Sequence, residues 1–304
     1  MLVVALLAAT AAAFALTQGL KSRLSPIFGT DVQSVFSPVC GCRKKTAAIS
    51  FKLREPDRVS VAIVDGSDRV VRTVERGRSY GSGIVEVAWD GRDDAGAILA
   101  EGEYRPRVHL AEERFTTTLP NPIVIDVTPP RLQLVAARPR VFSPDGDGRA
   151  DRVVFRYRAD EPVRGMLFVN GRRHQLKRFY REQDTIVWNG KADSRTLRPR
   201  TYTAELAAED AAGNVGARTR AVPLTLRYVA LGRDRITVTA GARFALRVSA
   251  DAAQVRWSIG GRTGLVRPGT LQLRAPLQKG QFTLTLTASG HSARAAVFVQ
   301  EPVR

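Results

Sequence analysis

The residues best suited to hard-cation chemistry are Asp145-Gly146-Asp147-Gly148-Arg149-Ala150-Asp151. Carboxylates hold the first, third and seventh positions of this glycine-rich loop. Calcium takes several hard oxygens, and glycines let a short loop fold around an ion with its carbonyls inward. The pattern is not a helix–loop–helix calcium motif, because Arg149 stands fifth, Ala150 sixth, and no glutamate stands twelfth. The competing reading is a solvated turn ahead of a strand. Asp145, Asp147 and Asp151 are thus the candidate metal ligands, and calcium is the candidate cofactor.

Cys40 and Cys42, separated by Gly41, are the only cysteines. Three readings are open: a local disulfide, a free thiol pair, or a bridge to another chain. Export would favour oxidation, and a ring closed across one residue is strained, which raises its redox potential. Zinc would want four ligands, and His109, His174 and His291 lie too far apart in sequence to complete a set. Asp90, Asp93 and Asp94 cluster inside a segment whose composition is that of a turn, whereas a glycosidase pair needs a cleft. No serine–histidine–aspartate, cysteine–histidine, phosphate-loop or HExxH pattern is present, so a non-catalytic protein is expected.

The elements that would carry these residues read as strands. Phe36-Ser37-Pro38 recurs as Phe142-Ser143-Pro144, and the register holds to Glu55-Pro56 and Glu161-Pro162. Between them, 47–53 and 153–159 alternate as half-buried strands do. Farther on, Val87-Ala88-Trp89-Asp90-Gly91 matches Ile186-Val187-Trp188-Asn189-Gly190, and Tyr104 matches Tyr202. A period of about 100 residues means tandem domains rather than a solenoid. In the first copy, strands are expected at 59–64, 70–74, 84–89, 104–110 and 123–127, with Asp65-Gly66 turning the first hairpin. Six or seven short strands with turn signals between them make a sandwich. Thr128-Pro129-Pro130 is a stiff joint. After Gly232, alternation resumes at 235–238, 243–248, 254–259, 271–273, 281–288 and 293–299 as a third, unrelated all-β module. Trp89, Trp188, Tyr104 and Tyr202 recur at matching positions and are expected in the cores.

The loop at 145–151 has a counterpart in the first copy, at Val39, Gly41 and Lys45, from which all three carboxylates are gone. That loop cannot hold calcium in the same way, and Cys40 and Cys42 are expected to pin it instead.

The run Val70-Val71-Arg72-Thr73-Val74, then 87–96 (VAWDGRDDAG), then Glu101-Gly102-Glu103-Tyr104, resembles the immunoglobulin-like domain of FlgD, the flagellar hook-capping protein. The second copy is similar more weakly, through 188–193 (WNGKAD) and Tyr202. The resemblance implies an immunoglobulin-like sandwich and an exported bacterial protein. It does not imply flagellar assembly, since the rest of a hook-cap protein is absent and fold does not carry function.

Leu2 to Leu16 is apolar apart from Thr10, and the first cations follow at Lys21 and Arg23. This run barely reaches the length of a spanning helix, so a membrane anchor and a cleaved signal peptide both fit. Lys21 and Arg23 would by themselves hold the bulk of the chain inside, whereas everything after residue 30 reads as extracytoplasmic. Over the whole chain, 47 Lys+Arg stand against 29 Asp+Glu, a net +18. Such a charge favours anionic partners: acidic wall polymer, lipid headgroups or nucleic acid. Arginines alternate with apolar residues through all the modules instead of clustering with aromatics, which disfavours nucleic acid.

The expected architecture is all-β, with tandem immunoglobulin-like β-sandwiches after an N-terminal hydrophobic helix at 1–22. The modules fall at 31–128, 131–228 and 232–302. The expected role is a membrane-anchored, single-pass envelope protein whose modules form a binding or spacer arm touching anionic wall or lipid. The alternatives are a secreted form and an accessory subunit of an envelope enzyme or export machine.

Overall fold

The computed structural model describes residues 3, 7, 9–11, 25–192 and 195–301. The hydrophobic helix expected at 1–22 therefore lies, apart from five positions, outside the described residues. Among the described residues no helix is long and apolar enough to cross a membrane. Two compact units emerge, Met1–Thr128 with Ala211–Asn214, and Pro129–Asp210 with Val215–Arg304.

The first unit is built from β1 (Ile27–Val32), β2 (Val35–Phe36), β3 (Ala47–Leu53), β4 (Asp57–Val64), β5 (Val70–Tyr80), β6 (Gly83–Trp89), β7 (Gly102–Leu110), β8 (Phe115–Thr118) and β9 (Ile123–Ile125). One sheet runs β1-β3-β6 and the other β2-β9-β7-β4-β5, with β8 on β7. Strict alternation drives the closure: Ala47, Ile49, Phe51 and Leu53 face inward while their neighbours in β3 are partly or fully exposed. Their partners Val59, Val61, Ile63, Val85 and Trp89 complete one core.

The second unit carries two cores. β10 (Leu132–Arg138), β11 (Val141–Phe142), β12 (Val153–Val169), β13 (Arg172–Leu176), β14 (Arg181–Trp188), β15 (Lys191–Ala192), β16 (Arg195–Thr196), β17 (Arg200–Glu209) and β18 (Val222–Leu226) form the first. It repeats the strand pairing of the first unit's two sheets, without a counterpart of β8 and with the added β15–β16 pair. β10-β12-β14 matches β1-β3-β6, and β11-β18-β17-β12 matches β2-β9-β7-β4, including the parallel pair at its edge. β12 does the work of both β3 and β4: its first half pairs with β10 and β14, its second with β17 and β13. The register jumps between Arg158 and Val163, where the chain passes Pro162 and changes sheets. In the first unit Pro56 sits instead in a break between two strands.

The third core is closed by β19 (Val229–Leu231), β20 (Arg235–Thr239), β21 (Arg243–Ala250), β22 (Val255–Ile259), β23 (Arg262–Val266), β24 (Gly269–Arg274), β25 (Gly280–Ala288) and β26 (His291–Gln300). Its sheets run β19-β21-β24 and β20-β26-β25-β22-β23. It takes in Val229, three residues ahead of Gly232.

Candidate functional site

The loop between β11 and β12 begins at Ser143, whose amide donates to Ala150 O at 3.1 Å and closes the loop's base. Gly146 and Gly148 both take positive φ, at 84° and 82°, which a side chain would oppose. Asp151 turns back into the loop. Its Oδ1 accepts the Gly146 amide at 2.8 Å and its Oδ2 the Gly148 amide at 2.9 Å. Asp147 Oδ1 accepts the Arg149 amide at 2.8 Å, and Asp145 Oδ1 the Asp147 amide at 3.3 Å.

Of the three carboxylates named from sequence, the fold gathers Asp145 and Asp147 and adds Asp251, which follows β21. One carboxylate oxygen from each lies within 4.8 Å of the others. Asp151 is not in this cluster; both its oxygens are taken by loop amides, and it acts as a brace. Ser143 Oγ donates to Asp251 Oδ2. Asp145 Oδ2 and Asp251 Oδ1 are buried with no hydrogen-bond partner. Burial, and then the neighbouring charges of Asp145 and Asp147, push the Asp251 carboxyl above its ordinary range. Buried carboxylate oxygens without donors, on neighbouring carboxylates, are costly unless a proton or a cation partners them. The donor set is hard oxygen only, which fits calcium and not a soft metal. Nothing local to Asp251 marks it, since it stands 108 residues beyond Ser143.

Cys40 and Cys42 are joined by a disulfide, with sulfurs 2.02 Å apart. Gly213, at φ 95°, sits on it so closely that an added Cβ would lie 2.6 Å from Cys42 Sγ. Beside it, Asn214 Nδ2 donates to Asp126 O at 3.0 Å.

Asp90 and Asp93 accept amides of their own turn, and Asp94 ties that turn to β5. Asp93 Oδ1 accepts the Ala97 amide at 2.8 Å, and Asp94 Oδ1 the Thr73 amide at 3.0 Å. The tryptophans are core residues. Trp89 Nε1 donates to Arg92 O and Trp188 Nε1 to Lys191 O, each at 3.0 Å. Tyr104 OH donates to Ala100 O at 2.9 Å and Tyr202 OH to Arg198 O at 2.7 Å. Phe36 and Phe142 pack at a tilt against the two indoles, with ring centroids 5.5 and 5.3 Å apart.

With this geometry in view, residues 41–113 match the model of the FlgD Ig-like domain. The first module is accordingly a FlgD-type immunoglobulin-like domain, and the recurrence of its main sheet pairing in the next core makes the arrangement tandem. Among curated proteins none matches the sequence. Solved structures similar to the chain include the fibronectin(III)-like modules of Clostridium thermocellum CbhA, at 16% identity over 67% of this chain and 92% of that one, with a TM-score of 0.34. The I9–I11 tandem of titin is similar at 11% identity over 90% and 99%, with a TM-score of 0.33. Likeness of this degree carries no argument about role.

Proposed function

We propose that the chain is a membrane-anchored cell-envelope protein whose immunoglobulin-like modules form a non-catalytic binding or spacer arm outside the cytoplasm, in contact with anionic wall or lipid. The observation that carries the reading is the series of closed two-sheet cores, each with its own buried aromatic or aliphatic centre. Sandwiches in series hold surfaces at fixed spacing and need no cleft. The Cys40–Cys42 bridge supports an oxidising compartment, and the apolar run from Leu2, extended without a charge through Leu20 to Lys21, supports an anchor in preference to a cleaved leader. Calcium held by Asp145, Asp147 and Asp251 would tie the second core to the third, because Asp251 belongs to the third. A reporter that is active only outside the cytoplasm, fused after Arg304 of the full chain, is expected to be active in intact cells. Cytosolic activity of the complementary reporter would overturn the proposal.

A second reading is favoured by the same modules and the resemblance to an export-associated domain: an accessory subunit of an envelope enzyme or export machine. Capture from solubilised membranes separates the two. One stoichiometric protein partner supports the accessory role, and salt-sensitive retention on isolated wall supports the arm.

A further inference from the structure

Two adjoining concavities on the second module share the Trp188–Lys191 turn. One, of about 660 Å³, is lined by Arg138, Arg152 and Lys191. The other, of about 450 Å³, is lined by Arg172, Arg173, Arg200 and again Lys191. The cations come from β10, β13, β15 and β17, and, for Arg152, from the residue just ahead of β12, so segments distant in sequence converge on one face. All six side chains are exposed. Among the described residues, none of the six forms an ion pair, although elsewhere on the module Arg164, Lys177 and Arg218 pair with Glu209, Asp184 and Glu205. The one carboxylate in the two linings, Asp151, already spends both oxygens on loop amides. Arg200 is held with its guanidinium 4.7 Å over the Tyr202 ring. Asn189 lines both concavities and adds an amide where they meet.

We infer that this face is a binding track for a linear anionic polysaccharide, one bearing carboxylate or phosphate groups at regular spacing. The inference rests on the envelope-arm reading and gives that arm a contact surface. Two joined concavities suit an extended chain better than a single small anion. Five of the six cations are arginine, whose planar fork meets carboxylate and phosphate oxygens two at a time. Neither ring in the linings is exposed: Tyr202 is only 2% exposed and donates its hydroxyl to Arg198 O, and His174 is half-buried with its ring 6.3 Å from that of Trp188, so no open aromatic platform is offered for stacking bases. That disfavours single-stranded nucleic acid.

The test titrates the full chain with polygalacturonate, inorganic polyphosphate and a single-stranded oligonucleotide of equal charge. EDTA is present throughout, so that no metal ion bridges anions to carboxylates. Binding of the first two, weakening as salt rises, is expected. Polygalacturonate binding above polyphosphate would assign carboxylate groups, and the reverse order phosphate groups. The variant Lys191→Gln/Arg200→Gln should weaken binding about tenfold. Arg256→Gln/Arg294→Gln, which removes the same charge from exposed positions of the third module, should change it little. Equal losses in both variants would overturn the track and leave the envelope arm standing on net charge alone. Preference for the oligonucleotide would overturn the track in favour of a nucleic-acid surface. No binding to any polyanion at low salt would remove both the track and the anionic-wall contact of the parent reading.

Discussion

Trp89 and Trp188 occupy the same place in successive modules and satisfy their indole N–H in the same way, on a carbonyl three residues ahead. Each lies 1% exposed beneath a phenylalanine and a tyrosine. The turn that supplies the carbonyl needs Gly91 or Gly190: φ there is 75° and 72°, and a Cβ would meet Phe36 at 3.1 Å or Leu226 at 2.9 Å. Trp188→Phe should cost about 1–3 kcal/mol, since it leaves the Lys191 carbonyl without its donor and opens a void, read as a lower urea midpoint. Asp57 offers a second test at this scale. Burial would raise its carboxyl, but the amides of Glu112 and Glu113, each 3.0 Å away, outweigh that and hold it below its ordinary value. A depressed carboxyl contributes stability that is present above about pH 4 and lost as acid protonates it. Asp57→Asn should therefore lower stability at neutral pH and flatten the acid limb of the profile in pH-dependent unfolding. An unchanged acid limb would refute the assignment.

At the scale of elements, the loop from β11 to β12 and its partner after β21 behave as one acidic trap. Asp251 is raised, the opposite sign to Asp57. Without a cation its contribution to stability falls as pH climbs from the ordinary carboxylate range through its raised value. Calcium should reverse this. Addition of calcium to the full chain is expected to raise the melting temperature of the second unit at pH 7, with a much smaller rise near pH 4. Asp251→Asn should abolish the calcium-dependent rise, while Asp151→Asn should destabilise the loop and retain a weaker response. A full response from Asp251→Asn would exclude it as a ligand. In the first module the disulfide occupies the matching stretch. Reduction in the full chain should lower the stability of that module by about 1 kcal/mol, a shift of roughly 4 °C, seen as faster amide exchange in β2 and β9. Gly213→Ala should act in the same direction, because its Cβ would collide with Cys42 Sγ.

At the scale of the whole molecule, each module closes its own hydrophobic centre, so stability changes should stay local to the module that bears the mutation. The exceptions are the two argued above, the Asp251 carboxylate and Gly213 against the Cys40–Cys42 bridge. The net charge of +18 belongs to this scale too: on the reading proposed above it would draw polyanions to the surface, and the local placement of cations would select among them.

Alternation was legible without coordinates because it is local. A strand's side chains point to opposite faces with period two, so Ala47-Ala48-Ile49-Ser50-Phe51 announces both its element and its buried face. The aromatic bracket was legible because it repeats. Strands with no apolar stripe were missed, among them β13, which reads Arg172-Arg173-His174-Gln175-Leu176, and the far half of β5, an edge strand of charged residues. Only the tertiary structure decided that β12 runs unbroken through Pro162, that Asp151 braces the loop, and that Asp251 takes its place beside Asp145 and Asp147. The first depends on the pairing of β12 with β10, β14 and β17, the second on how the loop folds back on itself, and the third on a contact across more than a hundred residues, as between Ser143 and Asp251 at a separation of 108. A carboxylate's neighbours are set by the sheets that carry it, whereas its place on a strand is set by the residues on either side.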